Sequence, residues 1–130
     1  MNADLVHLLA RTCLAAVFIY SGATKFMDWN GTLAEFGAMG IPLPLFAAAA
    51  TIFVQFAGGV AVLLDYQTRV AALLLAAFTI VATLIGHPFW TFEGVELHRQ
   101  LTTALEHLAI VGGFILLALY GSAKNRFPKF

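Results

Sequence analysis

Four long apolar stretches, each with a few polar residues inside it, dominate the pattern of this 130-residue sequence. Their approximate bounds are Leu5–Met27, Pro44–Leu64, Val70–His87 and Leu101–Gly121. A helix needs about 20 apolar residues to cross the hydrocarbon core of a bilayer, and each stretch comes close to that length. The pattern therefore predicts an all-α integral membrane four-helix bundle that forms a single domain over residues 1–130.

The segments between the stretches contain helix-start and turn signals. Asp4 is the expected N-cap of the first span, and Pro44 stands in the first turn of the second span, where proline is tolerated. Pro88 is expected to end the third span. The segment Thr32–Met39 is long enough for a short helix at the membrane surface, and the charged segment Thr91–Gln100 is predicted to be a loop.

Composition agrees with a membrane protein and excludes several other classes. Hydrophobic residues make up 61% of the chain and charged residues only 11%, which a soluble domain of this size would not show. The formal net charge is zero and no basic run is present, so no nucleic-acid partner is expected. Cys13 is the only cysteine, which excludes an internal disulfide and a two-cysteine redox centre. Cys13 is expected to be a small core residue.

The distribution of lysine and arginine predicts the orientation in the membrane. The side that holds the two termini carries Arg11, Arg69, Lys124, Arg126 and Lys129, and the opposite side carries Lys25 and Arg99. By the positive-inside tendency, the N-terminus and the C-terminus are predicted to be cytoplasmic. The first stretch lacks a basic leading segment and is too long for a signal peptide, so it is expected to remain as an uncleaved span.

Each stretch has one helical face of small and polar residues. In the last stretch this face is predicted to hold Arg99, Thr102, Glu106, Ala109 and Gly113. Lipid tails offer no hydrophobic drive for helices to associate, so faces that allow close approach are expected to meet inside the bundle. The glycines expected to permit this packing are Gly22, Gly58, Gly59, Gly112 and Gly113.

Polar residues of these faces are expected to gather in the outer half of the bundle, at about 1.5 Å of rise per residue. The candidate pocket residues are Lys25, Gln55, His87, Glu106 and His107. Together they would form an off-centre pocket that opens toward the extracytoplasmic side. Lys25 and the histidines are suitable donors to a carbonyl ligand such as a quinone, and Glu106 with His107 has the chemistry for proton transfer.

Three interpretations of these polar residues remain open. In the first, Glu106 forms a structural ion pair with Lys25 or Arg99 that fixes the helix register. In the second, the same residues bind a ligand or a quinone. In the third, His87 and His107 face each other and hold a haem or a metal ion; no other metal site is predicted.

Short motifs occur in a fixed order along almost the whole chain. The first span holds Arg11, Phe18, Ser21, Gly22, Lys25 and Phe26 in the pattern Arg…Phe-x-x-Ser-Gly-x-x-Lys-Phe. After it come Gly40-Ile41-Pro42, Gly58-Gly59, Arg69-Val70-Ala71-Ala72, His87-Pro88-Phe89-Trp90 and Gly112-Gly113. No single motif is specific, but the ordered set resembles the DoxX-like family of small membrane proteins.

The chain departs from the family pattern at two places. Gln55 stands where members of the family often have glutamate, and Glu106-His107 stands where they often have Lys-Asn. The buried acid is therefore expected to have moved from the second span to the fourth. The partners of Lys25 in this chain need not be those found elsewhere in the family.

The resemblance implies a multi-pass protein of the bacterial inner (plasma) membrane with a link to redox metabolism, since some relatives are subunits of quinone-linked oxidoreductases. The first hypothesis is an accessory subunit of such a system, with other membrane or redox subunits as partners, contact with lipid or quinone, and no cofactor of its own. The second is a stand-alone binder or transporter of a small hydrophobic molecule, and the third is a purely structural helix-packing subunit. Whether the chain is catalytic stays open, and the large lipid-facing surface is compatible with a homo-oligomer.

Overall fold

The computed structural model describes residues 2–121 and consists of helices joined by short turns. The helices are α1 (Ala3–Met27), α2 (Trp29–Ala38), α3 (Pro44–Leu63), α4 (Thr68–Gly86) and α5 (Gly94–Tyr120), with a single 3-10 turn at Phe89–Thr91. α1, α3, α4 and α5 are long and apolar enough to cross a membrane. Residues 2–121 contain no strand. The prediction of an all-α protein with four spans is confirmed.

The long helices alternate in direction, so the bundle has two distinct ends. One end, called the termini end, holds Asn2, residues 64–67 and Gly121; the other, called the α2 end, holds residues 28–43 and 87–93. α1 packs along α3, α3 against α4, and α4 along α5, whereas α1 and α5 touch only over a short length. The assignment of the termini end to the cytoplasmic side stays a prediction.

Two helix starts differ from the predicted ones because other residues cap them. Asn2 rather than Asp4 is the N-cap of α1, since its side-chain oxygen accepts a hydrogen bond from the Asp4 N–H at 3.1 Å. α2 begins at Trp29, ahead of the predicted start. There the Asp28 carboxylate accepts a hydrogen bond from the Gly31 N–H at 3.2 Å and caps the short helix.

Pro44 and Pro88 lie at helix boundaries, as predicted. Pro44 is the first residue of α3, where its missing N–H leaves no intrahelical hydrogen bond unmade. Pro88 follows the end of α4 at Gly86 and prevents the helix from continuing.

The prediction of a loop over Thr91–Gln100 is wrong, because α5 already begins at Gly94. The Glu96 carboxylate accepts hydrogen bonds from Arg99 at 2.9 Å and from Gln100 at 2.8 Å. Side chains three and four residues apart face each other on a helix, so these charged and polar residues stabilise its first turns. The high polarity of residues 94–100 therefore belongs to the exposed first turns of a helix and not to a loop.

The buried apolar core lies in the half of the bundle toward the termini end. Leu75 of α4 and Phe114 of α5 are completely buried. Phe114 packs edge-on against Phe18 of α1, with ring centroids 5.4 Å apart. The core therefore joins α1 to α5 at this level and closes the bundle here.

Gly22 and Gly59 allow α1 and α3 to approach each other closely. A Cβ atom at Gly22 would lie 3.0 Å from the backbone nitrogen of Phe56, and one at Gly59 would lie 2.8 Å from the Ile19 side chain. Both glycines are buried. These contacts show why this helix pair contains glycine where a leucine would hold the backbones apart.

The other glycines of the predicted packing set divide into two kinds. A Cβ atom at Gly58 or at Gly113 would meet the side chain of Leu75 or Leu14, respectively, at 3.0 Å. Gly112 is exposed, and a Cβ atom there would have no described neighbour within 4 Å. Gly112 therefore packs against no other helix within residues 2–121, which corrects its predicted role.

Cys13 also lies elsewhere than expected. It is exposed, because the buried face of α1 runs through Ala15, Phe18 and Gly22, and a residue two positions before Ala15 points away from that face. The basic residues Lys124, Arg126 and Lys129, which entered the orientation prediction, lie outside the described residues.

Candidate functional site

α5 turns a different face toward the bundle from the one predicted. Its buried residues are Val111, Phe114, Leu117 and Ala118. Glu106 is exposed on the outer surface of the helix. The predicted ion pair of Glu106 with Lys25 or Arg99 is absent from the described residues, and Arg99 pairs with Glu96 instead. The close packing of these four apolar side chains against the other helices sets the rotation of α5 and leaves Glu106 outside the bundle.

A cavity of about 440 Å³ lies between the helices in the half of the bundle toward the α2 end. All four long helices supply its walls, and α2 contributes residues at its outer side. Among the predicted pocket residues, Lys25, Gln55, His87 and His107 line the cavity, whereas Glu106 does not. The volume is typical of cavities that hold a small molecule.

Gln55 lies deepest among the α3 residues that line the cavity. It is roughly 17 Å along α3 from Pro44, and only 8% of its surface is exposed. Its Oε1 atom is buried and has no hydrogen-bond partner within the described residues. Such an atom destabilises the folded state by about 1–3 kcal/mol unless something in the cavity donates to it.

Lys25 and Glu35 line the cavity near the α2 end. They form no ion pair within residues 2–121, so both charges are available to a bound molecule. Glu35 did not emerge from the sequence, because it lies on α2 and enters the lining only through the position of that helix over the bundle. The sequence does hold one indication of this role. Glu35 stands next to Phe36 and four residues before Met39, and both of these residues also line the cavity.

His87 is held by a hydrogen-bonded chain that reaches the surface. Its Nδ1 atom lies 2.8 Å from Oε1 of Gln100, whose Nε2 in turn donates to Glu96 at 2.8 Å. An amide oxygen only accepts hydrogen bonds, so the Nδ1 atom of His87 carries the proton. Gln100 was missed in the sequence, although Glu96, Gln100 and His107 share one helical face at spacings of four and seven.

His107 is fixed in the same tautomer by a different route. Its Nδ1 atom lies 2.7 Å from the Thr83 hydroxyl, and that hydroxyl donates to the Thr79 carbonyl oxygen at 2.6 Å. A hydroxyl has one hydrogen, which is already used, so the Nδ1 atom of His107 must donate to Thr83.

The two imidazole rings lie in edge-to-face contact, with centroids 5.2 Å apart. Their Nε2 atoms have no hydrogen-bond partner within residues 2–121. A haem between two axial histidines would require the rings to stand on opposite sides of the porphyrin, and rings in direct contact leave no room for it. No group of three metal-ligating side chains occurs in the described part of the chain. The pair therefore does not fit the predicted haem site.

The rim of the cavity reaches the lipid-facing surface. Val17 of α1 and both Val81 and Ile85 of α4 line the cavity and are also exposed. All three belong to membrane-spanning helices. One side of the cavity lining therefore lies next to the lipid-facing surface.

A second polar cluster lies at the termini end and was not identified from the sequence. Arg11 donates to the Leu63 carbonyl oxygen at 3.3 Å and lies 3.7 Å from the Asp65 carboxylate, which also accepts a hydrogen bond from Thr68 at 2.6 Å. The side chains of Arg11 and Asp65 are only 13% exposed. A structural ion pair is therefore present here, between α1 and the α3–α4 turn, and not at Glu106 as predicted.

The fold and the cavity define a small four-span membrane protein with a cavity near one end, whose mostly apolar walls carry a few polar side chains. The DoxX family model matches residues 6–88, and the chain belongs to the DoxX family. It is similar to the inner membrane protein YphA of Escherichia coli (29% identity over 114 residues; 88% of this chain and 81% of the relative). The inner membrane protein YqjF of the same organism is 36% identical over 121 residues, covering 91% of this chain and 85% of the relative.

A third relative is the Bacillus subtilis protein named "Putative oxidoreductase CatD", 32% identical over 110 residues, which cover 84% of this chain and 81% of the relative. No solved structure matches the chain. With four membrane-spanning helices and relatives named as inner membrane proteins, the chain is a multi-pass protein of the bacterial inner membrane.

Proposed function

We propose that the cavity binds a small amphipathic ring molecule of the quinone class, and that the chain is an accessory subunit of a membrane redox system. The observation that carries the proposal is the Gln55 side chain, which lines a cavity of about 440 Å³ while its buried Oε1 atom has no hydrogen-bond partner within the described residues. Buried polar atoms are nearly always hydrogen-bonded, so an exception that lines a cavity supports a bound partner there.

The lining favours a ring with polar substituents over a lipid tail. Phe18, Phe78 and Ile110 supply apolar walls near Gln55, and these suit the faces of a planar ring. An acyl chain would fill the same space but would leave the Gln55 oxygen unpartnered. A ring of this class that bears a hydroxyl group fills the apolar space and also donates a hydrogen bond to the Gln55 oxygen.

The redox part of the proposal draws on a relative and on the composition of the chain. The Bacillus subtilis relative is named as an oxidoreductase. This chain has one cysteine, and that cysteine is exposed and does not line the cavity. We therefore assign electron transfer to the bound ring and to a partner chain, while this chain binds and orients the ring.

The outward position of Glu106 supports a partner chain. Glu106 lies roughly 18 Å along α5 from Gly94 and roughly 21 Å from Tyr120, which places it deep in the bilayer core. An acidic side chain at this depth is costly unless it is paired. One and two turns further along the helix, Ala109 and Gly112 are exposed and leave space for close approach. A partner helix with a basic or hydrogen-bond-donating side chain would satisfy Glu106.

A binding measurement tests the cavity. Decylubiquinol, whose hydroxyl groups are able to donate to Gln55 Oε1, is titrated without oxygen into the protein in lipid nanodiscs by isothermal calorimetry, alongside the Gln55→Leu and Phe53→Leu variants. Phe53 is exposed on the same helix at nearly the same depth, so its variant is the matched control. Gln55→Leu is expected to weaken binding about tenfold, and Phe53→Leu to leave it unchanged. Absence of binding by the natural protein, or equal binding by both variants, would contradict the proposal.

Native mass spectrometry of protein released gently from its own membrane tests the partner. The expected result is a complex with a second polypeptide species that persists in Glu106→Gln, which keeps a hydrogen-bonding group, and is lost in Glu106→Leu. A homo-oligomer that forms equally well in Glu106→Leu would contradict the accessory-subunit proposal.

A further inference from the structure

We infer that the cavity prefers the reduced, hydroxyl-bearing form of its ring ligand, a quinol, over the oxidised quinone. This inference rests on the proposed function and concerns the same cavity. It follows from the hydrogen-bonding character of three wall groups, Gln55, His87 and His107, all of which line the cavity.

Both histidines line the cavity, and in each ring Nδ1 is already hydrogen-bonded within the protein, which leaves Nε2 as the nitrogen that a ligand is able to use. In each ring the Nδ1 atom donates within the protein, to the Gln100 amide oxygen in one case and to the Thr83 hydroxyl in the other. A neutral imidazole with a proton on Nδ1 has a lone pair on Nε2. Neither Nε2 atom has an acceptor among residues 2–121, so a proton placed there would be an unpartnered donor.

Gln55 adds a third acceptor, its unpartnered Oε1 atom. The Gln55 amide is able to rotate, so it does not by itself discriminate between ligand forms. The histidines do discriminate, because Gln100 and Thr83 determine which ring nitrogen carries the proton. The preference of the site for quinol over quinone therefore depends on two side chains, His87 at the end of α4 and His107 on α5.

The remaining polar groups of the lining do not reverse this preference. The hydroxyls of Ser21 and Thr51 both donate and accept. Near the α2 end of the cavity, Lys25 only donates and Glu35 only accepts, so this pair of charged groups favours neither form of the ligand. A quinol offers two O–H donors to the acceptor wall. A quinone offers only acceptor oxygens. These form no hydrogen bond with the bare Nε2 atoms of His87 and His107, which are acceptors too.

A paired titration tests the inference. Decylubiquinol and decylubiquinone are titrated separately, without oxygen, into the natural protein in nanodiscs. The quinol is expected to bind about ten- to a hundredfold more tightly, as a site built to accept hydrogen bonds rejects the form that lacks donors. Equal binding, or tighter binding of the quinone, overturns the inference while leaving the proposed function intact. If neither form binds, the proposed function itself fails.

Two Thr83 variants show whether the wall acts as described. Thr83→Val removes the acceptor for the Nδ1 proton of His107, and the ratio of quinone to quinol dissociation constants is expected to fall about tenfold. Thr83→Ser keeps the hydroxyl and is expected to keep the ratio. A ratio that stays unchanged in a folded Thr83→Val protein overturns the assignment.

A spectroscopic measurement gives the same answer without ligand and without variants. Nitrogen-15 NMR of the histidine-labelled natural protein distinguishes a protonated ring nitrogen from a bare one. The inference expects His87 and His107 to have bare Nε2 atoms. Resonances that show a bare Nδ1 atom in His107 would overturn it.

Discussion

The two halves of the bundle differ in whether their buried polar atoms have hydrogen-bond partners within the described chain. Toward the termini end, Arg11, Asp65 and Thr68 hydrogen-bond or pair with one another or with backbone. Toward the α2 end, Gln55, His87 and His107 line a cavity, and the Gln55 Oε1 atom and the two imidazole Nε2 atoms have no partner inside the described chain. The comparison teaches that a polar residue inside a membrane helix is structural where its hydrogen bonds are made, and indicates a binding site where they are not.

Packing follows the same division. The termini half is closed by buried apolar side chains such as Leu75 and Phe114, whereas the α2 half contains the cavity. Substitutions in the first half should therefore act on the stability of the fold. Substitutions in the second half should act on ligand binding, with small or even favourable effects on stability. Four changes, from the largest expected effect to the smallest, test that division.

The largest effect is expected for Gly59→Leu at the α1–α3 contact. Even a Cβ atom at this position would lie 2.8 Å from the Ile19 side chain and 3.3 Å from the Ala15 carbonyl oxygen. Overpacking should lower the free energy of unfolding by about 3 kcal/mol, measured by reversible unfolding in sodium dodecyl sulfate. Gly112→Leu is the matched control, because Gly112 is exposed with open space around it. Equal losses in the two variants would show that close packing at Gly59 does not support the fold.

Arg11→Gln should have the next largest effect. It removes the cation that pairs with Asp65 and leaves a mostly buried carboxylate less well compensated. A loss of about 1–3 kcal/mol is expected in the same unfolding measurement. Arg99→Gln is the control, since the Arg99 side chain is 72% exposed and its pair with Glu96 is screened by solvent and should contribute little to stability. A loss in Arg99→Gln as large as that in Arg11→Gln would remove the distinction between the two ends.

Gln55→Leu should change stability in the opposite direction. In ligand-free detergent, removal of the unpartnered Oε1 atom should raise the free energy of unfolding by about 1 kcal/mol. The melting temperature of the detergent-solubilised protein measures this effect. A clear loss of stability would mean that Gln55 already has a partner within the fold, and the contrast between the two halves would not hold.

The smallest effect is expected for Thr83→Val. The variant removes the hydroxyl that accepts from His107 and donates to the Thr79 carbonyl oxygen, so a loss of about 0.5–1 kcal/mol is expected. Thr12→Val is the control, since Thr12 is exposed and its hydroxyl bonds only to the Leu8 carbonyl oxygen of its own helix. A large loss in Thr83→Val would place this contact among the structural interactions of the fold.

Much of the fold was predictable, because span length and hydropathy depend on the chain alone. The four spans, the short helix before Pro44 and the end of α4 before Pro88 all emerged from local patterns. Boundaries shifted where a cap or a charged first turn extended a helix, as at Asn2 and at Glu96. These shifts have local causes that a closer inspection of the sequence would identify.

The site was less predictable, since it depends on how each helix is rotated about its axis. Lys25, Gln55, His87 and His107 were identified and lie around one cavity. Glu106 was assigned to the interior because it shares a face with small residues. The adjacent face, which holds His107 and Phe114, is the one that packs. A difference of one residue turns a helix by about 100°, which periodicity alone cannot resolve when both faces contain small residues.

The sequence by itself determined that this chain spans the membrane four times, and it identified the helices that carry polar groups. Hydrophobic burial in lipid acts on composition and length, which need no knowledge of neighbours. Only the tertiary structure decided that Arg11 pairs with Asp65, that Glu106 faces outward, and that Gln55 lacks a partner. Those outcomes depend on which side chains meet across helices, because hydrogen bonds require both distance and direction between residues far apart in the chain.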